Sequence, residues 1–103
     1  MTEFVVQAWK IGNVIEFDWR FMRALIKLDV SMRVGDLVHI VGPSTDFRQR
    51  VEAMEFMREK VMRGKASQKV WIPVEARARP GDAVELLERG EDQTEPLAGL
   101  KQA

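Results

Sequence analysis

Turn-forming residues divide residues 1–87 into short apolar runs, and this spacing constrains the fold more than any other feature of the sequence. Gly35-Asp36, the cluster 42–46 and Pro80-Gly81-Asp82 each separate two apolar segments. Short apolar runs bounded by glycine, proline and aspartate are typical of strands in an all-β sandwich or barrel. The chain has 103 residues, of which 46% are hydrophobic, so it can build the core of one domain.

Two of the runs alternate apolar and polar residues, as half-buried strands do. In the segment 21–30, Ala24, Ile26 and Leu28 fall on one face of a predicted strand. In the segment 69–74, Val70 and Ile72 share a face, which directs Trp71 outward. Further strands are predicted over 37–41 and 83–87. The run 4–17 is extended in character, and Gly12-Asn13 makes it either one kinked strand or two strands joined by a turn.

The segment 51–63 gives conflicting signals. It is rich in Glu, Met, Arg and Lys, and on propensity alone it would be a helix. A strand that places Phe47, Val51, Met54 and Phe56 on one side works only with one bulged residue, near Glu52-Ala53.

Six turn and strand motifs occur in a fixed order and spacing. They are Ile11-Gly12-Asn13-Val14, Ala24 to Leu28, Arg33 to Gly42, Val51-Glu52-Ala53-Met54, Gly64 to Val70, and Arg79 to Val84. In this order they resemble the second domain of elongation factor Tu and related translation GTPases. They are even more similar to the small stand-alone elongation factor-like proteins built from that domain.

The resemblance implies a closed β-barrel of about six strands over residues 11–87, with a strand from Phe47 to Phe56. Residues 1–10 then form an N-terminal extension, which we predict to add a strand. Residues 88–103 form an acidic tail, which we predict to be flexible. No internal repeat is visible. The chain departs from the resembled family at Ser67 and Trp71, where that family often has glycine.

Several classes of function are not expected. The sequence lacks a Gly-x4-Gly-Lys-Ser/Thr motif, so we expect neither GTP binding nor GTP hydrolysis. It has no cysteine, a single histidine and no evident oxygen-ligand loop, so we expect no metal site, no cofactor and no catalytic group. We interpret His39 as structural. No apolar run approaches the roughly 18 residues that a membrane helix needs, and no signal-peptide pattern is present, which favours a cytoplasmic protein without a membrane contact.

The distribution of charge gives the candidate site. The chain is neutral, yet the stretch 48–69 carries seven basic and three acidic residues, a local balance of 7 − 3 = +4. A basic face can position phosphates without reading sequence. An outward Trp71 beside Lys69 could contact a base or a protein. The predicted RNA- or partner-binding residues are Arg58, Arg63, Lys65, Lys69 and Trp71.

Two functions remain open at this point. The first is a non-catalytic module related to translation factors that contacts RNA or a ribonucleoprotein through the basic face. The second is a protein-interaction barrel that docks to an enzyme or another protein in trans, without nucleic acid. A similar barrel occurs as an appended domain at the C-terminal end of some collagenase-like peptidases.

Overall fold

The computed structural model describes residues 9–90, which form ten strands and no helix. The strands are β1 (Trp9–Asp18), β2 (Arg23–Leu28), β3 (Met32–Arg33), β4 (Leu37–Gly42), β5 (Thr45–Arg50), β6 (Glu55–Phe56), β7 (Glu59–Lys60), β8 (Arg63–Gly64), β9 (Lys69–Pro73) and β10 (Ala83–Glu88). The expected all-β class is therefore confirmed for this part of the chain.

Eight strands form one antiparallel sheet in the order β5-β4-β10-β1-β2-β9-β6-β7, while β3 and β8 pair with each other. The ladder of residues 9–90 has two ends, β5 and β7, and these do not pair. Main-chain pairing thus leaves the sheet open, and the predicted closed barrel of six strands is not confirmed.

A single apolar cluster lies on the inner face of the sheet. The alternation read from the sequence places Ile26, Leu28, Val70 and Ile72 in this cluster, each almost inaccessible to solvent. Burying an aliphatic side chain of this size contributes about 1.5–3 kcal/mol, so the cluster supplies the main driving force for folding. The opposite face of β9 carries Trp71, as alternation predicts.

One buried side chain joins β5 to the chain that follows β9. The Gln49 amide nitrogen donates to the carbonyl of Pro73 at 2.9 Å, and its amide oxygen accepts from the Glu75 N–H at 2.7 Å. Gln49 is only 5% exposed, and these bonds satisfy both ends of its amide. A side chain therefore joins β5 to the end of β9, two strands that main-chain pairing does not connect.

The segment 51–63 contains no helix, yet the single bulged strand predicted from Phe47 to Phe56 is wrong. Val51 leaves β5 and exchanges two main-chain hydrogen bonds of 2.8 Å with Gly35 and Asp36. The chain resumes as β6 and reverses through Met57 and Arg58, whose φ angles of 52° and 69° are left-handed. A two-residue turn with positive φ fits the twist of a hairpin, so tertiary pairing overrides the helical propensity.

β1 is one strand with two irregularities, which decides between the two alternatives for Gly12-Asn13. Its register shifts between Lys10 and Gly12 against β10, and between Val14 and Glu16 against β2. A Cβ atom on Gly12 would lie 2.6 Å from the carbonyl oxygen of Lys27, so this close approach requires glycine. Of the predicted N-terminal extension, residues 1–8 lie outside the described residues.

Two of the turns predicted from the sequence share one geometry, a repeat that the sequence analysis did not detect. Arg33-Val34-Gly35-Asp36 and Arg79-Pro80-Gly81-Asp82 are named here the Asp36 turn and the Asp82 turn. In each, the aspartate accepts a hydrogen bond from the arginine N–H, at 2.9 and 2.8 Å, and glycine has a φ of 102° and 98°. The strands that follow them, β4 and β10, pair antiparallel.

The Asp36 turn is covered by residues that directly follow β10. The Gly90 N–H donates to Asp36 Oδ1 at 2.7 Å, and Arg89 Nη1 lies 2.7 Å from Asp36 Oδ2. Arg89 and Gly90 belong to the segment predicted as a tail, and residues 91–103 of that segment lie outside the described residues.

Candidate partner-binding surface

The outer face of β2, β9 and β6 is basic around an aromatic centre. Strand alternation points Arg23 and Lys27 outward from β2, and Lys69 and Trp71 outward from β9. Glu55 on β6 lies opposite Trp71 and is the acid of this face.

Trp71 is held in place by a cation stacked on its ring. The guanidinium carbon of Arg23 lies 4.4 Å from the ring centroid of Trp71 and 5.6 Å from that of Phe21. The same guanidinium pairs with Asp18 at 3.4 Å and with Glu55 at 3.3 Å. Two carboxylates and two rings thus fix Arg23, and Arg23 in turn covers one face of Trp71.

Two shallow clefts flank this stack, and Arg23, Glu55 and Trp71 form the wall between them. One cleft has a volume of about 280 Å³ and is largely apolar. Besides the three wall residues, it is lined by Phe21, Ala53, Met54, Lys60, Ile72 and Pro73. The other, of about 580 Å³, is lined beyond the wall by Met57, Arg58 and Lys69. We call the pair of clefts the Trp71 groove.

The turn between β1 and β2, residues 19–22, projects two large aromatic side chains and is called the hairpin tip. Trp19 is 73% exposed and Phe21 is 71% exposed. Asp18 orders the tip, because its Oδ1 accepts from the N–H groups of Arg20 at 3.0 Å and Phe21 at 3.4 Å.

The hairpin tip lies between two concave regions. Phe21 lines the apolar half of the Trp71 groove. Trp19 and Met22 line a third cleft of about 630 Å³, together with Arg77 and Arg79 of the loop before β10. The tip therefore presents apolar surface on both sides, with cations within each cleft.

The structure brings together three of the five predicted site residues. Arg58, Lys69 and Trp71 line one half of the Trp71 groove. Arg63 and Lys65 line none of the clefts described above. Arg63 lies on β8, where it is paired with Arg33 of β3, and Lys65 follows that strand.

The seven basic residues of the stretch 48–69 do not share one element. Arg48 and Arg50 lie on β5, at one end of the sheet order, whereas Lys60 lies on β7 at the other end. Arg50 is paired with Glu88 at 3.1 Å. A positive balance along the sequence therefore becomes several separate groups of cations in the fold.

Sequence reasoning missed Phe21, Arg23 and Glu55 as site residues. Arg23 was visible only as a polar residue on the outer face of β2. Its role depends on Trp71, Asp18 and Glu55, which meet it through cross-strand pairing. The available signal was the run Trp19-Arg20-Phe21-Met22, which puts three large apolar residues in a turn.

His39 lies between two carboxylates on the outer side of β4. Its Nε2 is 2.6 Å from Asp46 Oδ1, and its Nδ1 is 3.3 Å from Glu85 Oε1. The hydrogen bond to His39 lowers the pKa of Asp46 below its ordinary value, and the charges of His39 and Arg48 act in the same direction. Both ring nitrogens of His39 thus face carboxylates rather than a hydroxyl nucleophile.

Within residues 9–90, no group of three or more histidine, aspartate or glutamate side chains is arranged to hold a metal ion. The same part of the chain holds no helix with the length and apolar character needed to cross a membrane.

The solved structures that resemble this fold include two of one bacterial domain. The selenomethionine variant of the C-terminal domain of a Geobacillus thermoleovorans putative U32 peptidase matches with a TM-score of 0.70 and 22% identity, covering 73% of this chain and 95% of that one. Another structure of that C-terminal domain matches with a TM-score of 0.70 and 20% identity, covering 88% and 100%. At these identities the likeness shows the fold alone. No family model matches the chain, and no curated protein matches it in sequence.

These findings correct the resemblance drawn from the sequence. The structural neighbours are domains of a peptidase-like protein rather than the second domain of elongation factor Tu, and no family model supports a translation factor. The motifs behind that interpretation include the two Gly-Asp turns, in which glycine adopts a positive φ so that the chain can reverse direction. Unrelated β-proteins share such turns, so their order did not specify the family.

Proposed function

We propose that this chain is a non-catalytic module that docks to a protein partner through the hairpin tip. The observation that carries the proposal is the exposure of Trp19 and Phe21 on a turn ordered by Asp18. Exposing large aromatic side chains to water is unfavourable, and burying them in a complex recovers that free energy. Aromatic anchors of this kind dominate the binding energy of protein interfaces.

The structural neighbours support the same role. Both are C-terminal domains of a larger protein, so this fold occurs there beside a further part of a polypeptide. We propose that this chain supplies the fold in trans, docked on an enzyme or another protein.

The proposal is tested by affinity capture on the immobilised chain from extract of the source cells, with and without nuclease. We compare the unaltered chain with the double variant Trp19→Ala/Phe21→Ala and with Met62→Ala, an exposed apolar residue outside the three clefts. One protein should be retained by the unaltered chain and by Met62→Ala, should survive nuclease and should be lost from the tip variant. Retention by the tip variant refutes the role of the tip.

A second candidate, RNA binding, is favoured by a pair of like charges. Arg33 and Arg63 are directly opposite across β3 and β8, and Lys65 follows. Like charges placed opposite each other are destabilising by a few tenths of a kcal/mol, and a polyanion between them would relieve this. Replacing Arg63 and Lys65 with alanine should flatten the salt dependence of RNA affinity by about 0.7–0.9 per lost contact. An unchanged slope excludes this candidate.

Three finer statements remain part of the proposal. The strands form a closed barrel in solution, with the Gln49 bridge completing the circle, which slow exchange of the β5 amides would support. The module works in the cytoplasm, which cell fractionation can check. It binds no GTP, and calorimetry with magnesium and GTP should give no heat of binding.

A further inference from the structure

We propose that the Trp71 groove binds an extended, acidic peptide segment of the partner, in which an apolar side chain and a carboxylate are two residues apart. This inference deepens the proposed function by assigning a second contact and its chemistry. Phe21 belongs to both surfaces, and the groove adds residues of β6, β7 and β9 that the hairpin tip does not contain.

The apolar half of the groove sets the first requirement. Met54 and Ile72 are buried at its floor, and Phe21 and Pro73 are exposed at its edge. Lys60 and the wall residues Arg23 and Glu55 are the charged groups that line it. An aliphatic or aromatic side chain placed here removes apolar surface from water on both partners.

The cationic half sets the second requirement. Arg58 and Lys69 line it and are exposed, and among residues 9–90 neither forms an ion pair. Arg58 is held at the corner of the β6–β7 hairpin by a left-handed backbone, which fixes where its side chain starts. Two unpaired cations on one side of a cleft are complementary to a carboxylate.

The wall between the halves sets the spacing. Arg23 is already paired with Asp18 and Glu55, so it serves as a spacer on Trp71 rather than as a free cation. An extended peptide presents residues i and i+2 on one face, about 7 Å apart. Because Arg23, Glu55 and Trp71 line both clefts, the two halves are direct neighbours. Residues i and i+2 on one face of an extended peptide can then enter one half each.

A peptide fits this groove better than a nucleic acid strand. Single strands bind by stacking bases on aromatic faces, and Arg23 covers a face of Trp71 at 4.4 Å. The Glu55 carboxylate lies within the wall, where it is paired with Arg23 at 3.3 Å. The same carboxylate can accept a hydrogen bond from a peptide N–H.

The test is selection of random dodecapeptides displayed on phage against the chain, followed by affinity measurement with synthetic peptides. The expected motif is an apolar residue and an Asp or Glu separated by any one residue, in one constant order among the selected peptides. In the background Trp9→Phe/Trp19→Phe, Trp71 is the remaining tryptophan, and its fluorescence should change on binding. Changing the motif Glu to Gln should weaken binding about tenfold.

Matched charge reversals locate the site. Arg58→Glu with Lys69→Glu should weaken the selected peptides at least tenfold, whereas Arg63→Glu with Lys65→Glu, outside the groove, should change affinity less than threefold. The proposal is overturned if the selected peptides share no motif or if their motif contains no acidic residue. It is also overturned if the two double charge-reversal variants weaken peptide binding equally. A 12-nucleotide oligouridine that displaces the peptides at lower concentration overturns it in favour of RNA.

The two proposals fail separately. If a partner is captured through the hairpin tip but the peptide selection fails, only the proposal of an acidic peptide in the Trp71 groove is refuted. If the peptide motif is found but capture of the partner does not depend on Trp19 and Phe21, the Trp71 groove is kept as the docking site and the role of the hairpin tip is refuted.

Discussion

The Asp36 turn and the Asp82 turn have the same main-chain geometry and differ in what covers the aspartate. In both, the aspartate N–H also donates to the arginine carbonyl, at 3.1 and 3.0 Å. Asp36 is covered by polar groups of Arg89 and Gly90. Asp82 is instead packed closely against Gly42, where an added Cβ would lie 1.9 Å from its carboxylate oxygen.

The difference shows which part of a turn is local. Arginine, glycine and aspartate within four consecutive residues are enough to set the positive φ and the bond that the aspartate side chain accepts. The partners of the aspartate come from 53 and 54 residues away in the Asp36 turn. The contribution of each turn to the free energy of unfolding therefore depends on the residues at the end of the strand that covers it, β10 for Asp36 and β4 for Asp82.

The largest effect is expected for Asp36→Ala. This change removes three side-chain hydrogen bonds and leaves Arg89 without its buried carboxylate. Breaking a buried pair of this kind should lower the free energy of unfolding by about 3 kcal/mol. Urea denaturation measures it, and Asp29→Ala, at an exposed aspartate, should change stability by less than about 0.5 kcal/mol.

A smaller loss is expected for Asp82→Ala, measured by the same denaturation. The Asp82 side chain accepts from the Arg79 N–H, and no ion pair to it forms within residues 9–90. Leaving that N–H without its partner should lower the free energy of unfolding by about 1–2 kcal/mol. Equal losses at Asp36 and Asp82 would mean that the covering residues add nothing to the turn.

A gain in stability is expected for Ser67→Gly. Ser67 has a φ of 80°, in the region that the glycines of both turns occupy, but it carries a side chain. Removing Cβ relieves about 1–2 kcal/mol of strain, offset in part by the greater entropy of glycine in the unfolded chain. The net gain should be about 0.5 kcal/mol by thermal denaturation. Gly81→Ala, which meets no neighbour within 4 Å, should show the reverse sign.

The smallest effect concerns pH at the centre of the ladder that links the two turns. His39 faces Glu85 there and lowers the pKa of Asp46 below 3.8. A depressed folded pKa contributes stability that is present above the unfolded pKa and is lost as the pH falls through the folded pKa. The stability difference between the unaltered chain and Asp46→Asn should shrink as the pH falls from about 5 towards about 3. A difference that grows over this range contradicts the assignment.

The all-β class and the inner face of the sheet could be predicted from sequence, because strand alternation is a local pattern. Ala24, Ile26, Val70 and Ile72 are buried as the pattern requires. The path of residues 51–63 could not be predicted from the sequence, because this segment is rich in residues that favour helices. Pairing of Glu55 with Trp71 and a left-handed turn at Met57 place it in strands instead. Local propensity carries less free energy than tertiary packing.

The candidate site was predictable only in part. Lys69 and Trp71 share β9, so alternation found both, and Arg58 was included through its charge. The contact of Arg23 with Trp71 joins β2 to β9 across 48 − 1 = 47 intervening residues, which no sequence spacing reveals. Arg63 was grouped with Lys69 because they are near in sequence, and the fold places Arg63 against Arg33 instead.

The amide of Gln49 gives the molecule a preferred place to open. Along most of the sheet, separating two strands breaks a row of main-chain bonds cooperatively, whereas β5 is joined to Pro73 and Glu75, at the end of β9, by the side chain of Gln49. Local unfolding follows the boundary with the fewest bonds to break. Breaking the two Gln49 bonds would therefore free the edge of β5 from β9 while the β4–β5 and β4–β10 ladders stay paired.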